Sequence, residues 1–117
     1  MITFYGYKKC GTSRKAEKFL TEKEITYTFI DITLNPPTQD QLTAIIALAD
    51  KPLKAFFNTS GVAYREGAVK DLLPTMSDDE KVALLATNGR LLKRPLITDG
   101  TKASVGFKEE EFASIWG

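Results

Sequence analysis

The residues best suited to chemistry lie in one short run, Lys8-Lys9-Cys10-Gly11-Thr12-Ser13-Arg14. Cys10 is the chain's one cysteine, and it falls in a polar, glycine-flanked turn directly before a helical pattern. The first backbone N–H groups of a helix have no partners inside the helix and carry partial positive charge, so a thiolate or oxyanion placed there is stabilised. Nearby Lys and Arg side chains lower a thiol pKa in the same sense. Lys8, Lys9, Arg14 and Lys15 surround Cys10 in sequence, and the Thr12 and Ser13 hydroxyls are donors within reach of the sulfur. Most free cysteines are small buried hydrophobes. A place in a polar turn, away from any apolar stripe, favours a reactive thiol here.

What the chain lacks narrows the chemistry. It has no histidine, which excludes a Ser-His-Asp triad, a Cys-His pair and every His-ligated metal site. A lone cysteine closes no disulfide within the chain and builds no cysteine-rich zinc site. Asp78-Asp79-Glu80 and Glu109-Glu110-Glu111 read as first-turn carboxylates that favour a helix dipole, so no metal is expected. The net charge of +1 argues against direct nucleic-acid binding. The purest apolar runs, Ala44 to Ala49 and Val82 to Ala86, fall far short of a bilayer span. MITFYGYKKC lacks the apolar core of a signal peptide, so a cytoplasmic protein with no membrane partner is expected.

The elements that must position Cys10 can be read from periodicity. The 117 residues are 43% hydrophobic and 26% charged, enough for one domain over 1–117 with a core that needs no staples. Ile2 to Tyr5 reads as a strand ending at Gly6, and about Thr12 to Glu24 as a helix with Ala16, Phe19 and Leu20 on its apolar side. Thr26 to Asp31 alternates as a second strand, which completes a β-α-β unit over 1–31. Asn35-Pro36-Pro37 breaks the chain. Thr38 with Gln41, and Ser77 with Glu80, have capping-box spacing before apolar stripes. They bound a helical insertion over about 38–88, with a helical turn or two at Pro52 to Asn58, a loop at Thr59-Ser60-Gly61 and a less regular segment from Tyr64. Asn88-Gly89 should end the second capped helix. A β-β-α unit over 91–117 follows. Leu91-Leu92 and Pro95 to Thr98 look extended, Asp99-Gly100 is a hairpin turn signal, and Ala103 to Phe107 returns. A last helix, about Lys108 to Trp116, buries Phe112, Ile115 and Trp116. The sum is an α/β layout around a small mixed sheet.

Four segments together carry a family resemblance. Cys10-Gly11-Thr12-Ser13-Arg14, after a strand and before a helix ending in Phe19-Leu20, resembles the active-site segment of glutaredoxin-linked arsenate reductases of the ArsC type. Lys93-Arg94-Pro95-Leu96-Ile97 resembles that family's Arg-Pro segment. Asn58 to Gly61 with Tyr64-Arg65-Glu66, and Val105-Gly106-Phe107, are similar to segments of the wider family that includes Spx and MgsR regulators. The resemblance implies a thioredoxin-like fold: a mixed four-stranded sheet with flanking helices and a central helical insertion. It implies that Cys10 is the nucleophile, that Arg94 binds an oxyanion, and that the backbone from Gly11 through Thr12 and Ser13 to Arg14 holds a thiolate or anion. It also implies a cis proline at Pro95, facing the cysteine loop. No bound cofactor is implied; the reductant would be an external thiol such as glutathione or glutaredoxin, with arsenate or another oxyanion as partner. The regulatory branch of the family implies instead the C-terminal domain of the RNA polymerase α-subunit.

The match has gaps. The arsenate reductases use three arginines around the cysteine, and only Arg94 has a counterpart here. The second would fall in the loop before Gly61, where Asn58, Thr59 and Ser60 stand, and the third near Val105. Arginine suits that task because its rigid fork binds oxyanions bidentately. The second cysteine of a Cys-x-x-Cys switch is replaced by Ser13, which leaves a monothiol chemistry in which an external thiol resolves a mixed disulfide.

Overall fold

The computed structural model describes residues 2–59, 61–66 and 69–117. Ser60, part of the loop expected at 59–61, lies outside them. Strands β1 (Ile2–Gly6), β2 (Tyr27–Asp31), β3 (Leu96–Thr98) and β4 (Ala103–Val105) form one sheet in the order β2-β1-β3-β4. β1 runs parallel to β2, with Gly6 opposite Asp31, and antiparallel to β3, with Tyr5 opposite Leu96. β3 and β4 are antiparallel, with Leu96 opposite Val105. The mixed sheet and helical insertion expected from the resemblance are therefore present.

Alternation along the strands sends side chains to two faces. On one face Phe4 and Ile97 pack with Ala16 and Leu20 of α1 (Gly11–Glu22), and with Phe112 and Trp116 of α6 (Glu109–Trp116). Phe19 and Phe112 meet edge to face at 5.1 Å between ring centroids. The Trp116 Nε1–H donates to the buried Ser104 Oγ at 2.8 Å, which satisfies both polar groups where water is excluded.

On the other face Tyr5 and Leu96 meet the insertion. Its helices are α2 (Gln39–Ala49), α3 (Val62–Glu66), α4 (Val69–Leu72) and α5 (Asp78–Thr87), with 3-10 turns at Leu53–Phe56, Leu73–Thr75 and Gly89–Leu91. Both capping boxes form as their spacing requires: Thr38 with Gln41 and Ser77 with Glu80. Leu42, Ile45, Phe56, Leu85 and Leu92 fill this second core.

Two sequence expectations change. Leu91-Leu92 is not a strand: Leu91 ends a 3-10 turn, and Leu92 makes an isolated bridge with Phe57. Both side chains are buried in the same cluster, and successive residues of a strand cannot face one side. Asn88-Gly89 ends α5 at Thr87 as expected, with Asn88 as the C-cap. The φ of Gly89 is not positive, and a Cβ there would overlap the Ile32 carbonyl, so glycine is needed for close backbone approach. The return strand stops at Val105 because Gly106 turns to φ 75° and gives its N–H to the Pro95 carbonyl at 2.9 Å. The expected Asp99-Gly100 hairpin exists, but Thr98 pairs with Ala103, so its loop is longer than the dipeptide. The Asp99 carboxylate braces that loop by accepting from the Thr101 and Lys102 N–H groups and the Thr101 hydroxyl. Those bonds hold its carboxyl at about 2.

Gly89→Ala tests the close approach. The new methyl must displace the Ile32 backbone, and urea unfolding is expected to show a loss of roughly 2–4 kcal/mol with an unchanged m-value.

Candidate active site

The register of the sheet gathers one edge. Antiparallel pairing of Tyr5 with Leu96 sets Arg94-Pro95 beside the segment that follows β1. Parallel pairing of Gly6 with Asp31 brings the end of β2 to the same edge, and Val105 opposite Leu96 brings the end of β4. Tyr7 to Cys10 therefore runs out among three other chain segments. The turn is closed by the Cys10 N–H donating to the Tyr7 carbonyl at 2.9 Å.

Cys10 is the N-cap residue of α1, with extended φ and ψ, and its own carbonyl accepts from the Arg14 N–H at 3.0 Å. Its thiol is half-buried. Burial alone would raise the thiol pKa. The Ser13 N–H and hydroxyl, the Thr12 N–H and the positive charge of Arg94 outweigh burial, and the pKa is lowered. Ser13 is fully buried, and its Oγ accepts from the Tyr7 N–H at 3.2 Å, which aims the hydroxyl hydrogen toward the sulfur.

The expected anion-binding set divides. Thr12 and Ser13 act on the sulfur. The Arg14 N–H is taken by the Cys10 carbonyl, and the Arg14 side chain is exposed. Gly11 opens the helix at an exposed position with open space where a Cβ would stand. The Arg94-Pro95 peptide is cis and Pro95 is buried.

The lysines adjacent in sequence do not supply the charge. Lys8 pairs with Glu17 at 2.9 Å and lies over the Phe29 ring at 4.1 Å. Glu17 also accepts from the Tyr27 hydroxyl at 2.8 Å, which anchors that network to β2. Lys15 lines a groove with Phe19 and Phe107. The charge acting on Cys10 comes from Arg94, distant in the chain.

Sequence reading missed the surroundings of Arg94. Its guanidinium sits 5.3 Å from the Tyr7 ring centre. It also helps to hold the Asp31 carboxyl below its usual range, after the Thr33 hydroxyl, whose bond to Asp31 is 2.6 Å. A cavity of about 340 Å³ opens here, lined by Tyr7, Thr33, Asn58, Gly61, Arg90 and Arg94, with Glu66 also on its wall. Arg90 carried no sequence signal: it follows Asn88-Gly89, which read as a helix stop. Val105 lies in a separate pocket, with Lys51, Lys93 and Lys108 around it. Among the described residues no group of acidic or sulfur side chains could hold a metal ion, and no helix is long and apolar enough to cross a membrane.

A mixed sheet with a cysteine at the N-terminus of the first helix and a cis proline opening β3 defines a thioredoxin-like fold with a single thiol. The model of the ArsC family matches residues 5–115, and the chain belongs to that family. It is 50% identical to the Bacillus subtilis (strain 168) protein YusI, over 98% of both chains. It is 27% identical to global transcriptional regulator Spx 2 of Bacillus anthracis, over 95% of this chain and 83% of that one. A crystal structure of an ArsC-family-related protein from Bacteroides fragilis superposes with a TM-score of 0.93 at 46% identity, covering 97% of this chain and 96% of that chain. An arsenate reductase from Vibrio cholerae shares the fold, with a TM-score of 0.85 at 23% identity, covering 97% and 96%.

Two measurements test the thiol's setting. Ser13→Ala removes a donor to the sulfur, so the Cys10 pKa read by ultraviolet absorbance is expected to rise toward that of a free thiol. The second is linkage. A group whose folded-state pKa is lowered stabilises the fold above its unfolded pKa, ordinarily 9.0, and that gain is lost as pH falls through the folded value. The stability of the wild type relative to Cys10→Ser should therefore increase as pH rises through that window and level off above it.

Proposed function

We propose that this protein is a thiol-dependent oxidoreductase that uses Cys10 as its single nucleophile and an external thiol, glutathione or glutaredoxin, as reductant. The observation that carries this reading is the convergence of Ser13, the start of α1 and Arg94 on one half-buried thiol whose pKa is lowered. The Cys10 thiolate attacks one sulfur of a disulfide. A new Sγ–S bond forms, the old S–S bond breaks, and the departing thiolate takes a proton from solvent. The external thiol, as its thiolate, then attacks the outer sulfur of the mixed disulfide, forms a new disulfide with it and releases the Cys10 thiolate, its own proton passing to solvent. The attacked disulfide is the species reduced, and the external thiol is the one oxidised. Arg94 offers its charge to an anionic partner as well as to the thiolate. Arsenate is a second candidate substrate, supported by family membership and by the arsenate reductase fold relative.

The likeness to Spx motivates a second reading, a regulator that binds the C-terminal domain of the RNA polymerase α-subunit. Ser13 stands where a Cys-x-x-Cys switch needs its second sulfur, so redox control would have to pass through a mixed disulfide at Cys10. Retention of the α-subunit domain by the immobilised protein, in the thiol or the adduct form, would favour this reading.

The reduced protein exposed to glutathione disulfide should gain one glutathione by intact mass, and Cys10→Ser should gain none. Arg94→Ala should slow adduct formation about tenfold, the loss of one charge-assisted contact. A wild-type rate no faster than that of a free cysteine at the same pH would sink the enzyme reading.

A further inference from the structure

The cavity beside the cysteine loop holds two guanidinium groups where family resemblance leads one to expect a different arrangement. Asn58 and Gly61 belong to the loop in which the second oxyanion arginine would fall, and both line this cavity. Arg90 enters the same cavity from the turn after α5. That turn is fixed where it begins. Gly89 lies against the Ile32 carbonyl, at the close of β2, and the Arg90 N–H donates to the Asn88 side chain at 3.0 Å. Arg90 is therefore held near Thr33 without any contribution from its own side chain. Among the described residues neither Arg90 nor Arg94 forms an ion pair, although the Asp31 carboxylate lies close enough to feel the charge of Arg94.

The same wall carries Glu66. A multiply charged tetrahedral oxyanion would be drawn to the arginines and repelled by that carboxylate. The volume, about 340 Å³, is also far more than such an ion fills, and lies in the range of small-molecule pockets. A group that carries both a carboxylate and an ammonium suits all three charges. We infer that Arg90, Arg94 and Glu66 form a subsite for the α-amino carboxylate end of a small thiol whose sulfur bonds to Cys10. Arg90 is then a specificity-determining residue that takes the carboxylate, and Glu66 takes the ammonium. This rests on the proposed mixed-disulfide chemistry, since the subsite and the sulfur must engage one molecule. Tyr7 and Arg94 connect the two: both line the cavity, Tyr7 bonds to Cys10 and Ser13, and Arg94 acts on the Cys10 charge.

The test is a panel of small disulfides, with the rate of Cys10 adduct formation followed by mass spectrometry. Cystine carries both charges, dithiodiglycolate only carboxylates, cystamine only ammonium groups, and hydroxyethyl disulfide none. The wild type should prefer cystine over hydroxyethyl disulfide. Arg90→Met should lower the ratio of the dithiodiglycolate rate to the hydroxyethyl disulfide rate about tenfold, with Arg90→Lys partly restoring it. Glu66→Gln should lower the cystamine ratio instead. If Arg90→Met leaves the ratios unchanged, or if it abolishes only the protection of Cys10 by inorganic arsenate or phosphate against alkylation, the amino-carboxylate subsite is wrong. If no disulfide in the panel reacts with the wild type faster than with free cysteine, the mixed-disulfide reading itself fails, which is a separate outcome.

Discussion

The site depends on the antiparallel pairing of β1 with β3. Tyr5 opposite Leu96 fixes where Arg94 and Pro95 stand relative to the turn that leaves β1. Nothing local could do this, because the cysteine and its arginine belong to opposite ends of the chain. The pairing also sorts the core. Phe4 and Ile97 go to the face covered by α1 and α6, while Tyr5 and Leu96 go to the face covered by the insertion. A slip of one residue would exchange those faces and carry Arg94 away from the sulfur.

Activation of the thiol is a contest between burial and donors. Removing a sulfur from water disfavours its anion, and a small domain gains a reactive cysteine only if fixed dipoles and charge outweigh that cost. Ser13 is the pivot. It is buried, it accepts from the Tyr7 N–H, and it contributes both backbone and side-chain donors to the sulfur. The serine that removes the second thiol of a Cys-x-x-Cys pair thus helps to activate the one that remains. Arg94 adds charge from the far side while resting against the Tyr7 ring, so one residue serves the nucleophile and the wall of the adjoining cavity.

Positive charge reaches the far end of the sheet from several elements. The loop before Gly61 brings Asn58 to the cavity, and Arg90 enters the same cavity from another element. Around Val105 the positive charge comes from Lys51, Lys93 and Lys108, and Lys51 is paired with Glu111 at 2.6 Å.

Much of this was written in local sequence. Capping boxes at Thr38 and Ser77, the alternation of Phe4 with Tyr5, the apolar stripe of α1 and the turn at Asp99-Gly100 are each decided by residues a few places apart, where helix and strand periods act directly. The place of Cys10 at the start of α1 is of the same kind. What sequence could not decide were the relations across space. Lys8 looks like a neighbour of Cys10 but is drawn off by Glu17 and Phe29, because a turn points adjacent side chains in different directions. Leu91-Leu92 looks like a strand but bends to bury both side chains in one core. Gly89 does follow the end of a helix, but it is glycine because the backbone of Ile32 passes against it. The setting of Cys10 was legible in the sequence because the donors that lower its pKa begin with the helix that follows it. Arg94 could be named from its Arg-Pro segment, but its reach to the sulfur, the entry of Arg90 and the cavity itself were decided by the tertiary structure, because electrostatic reach is set by distance in space and the sheet register sets that distance.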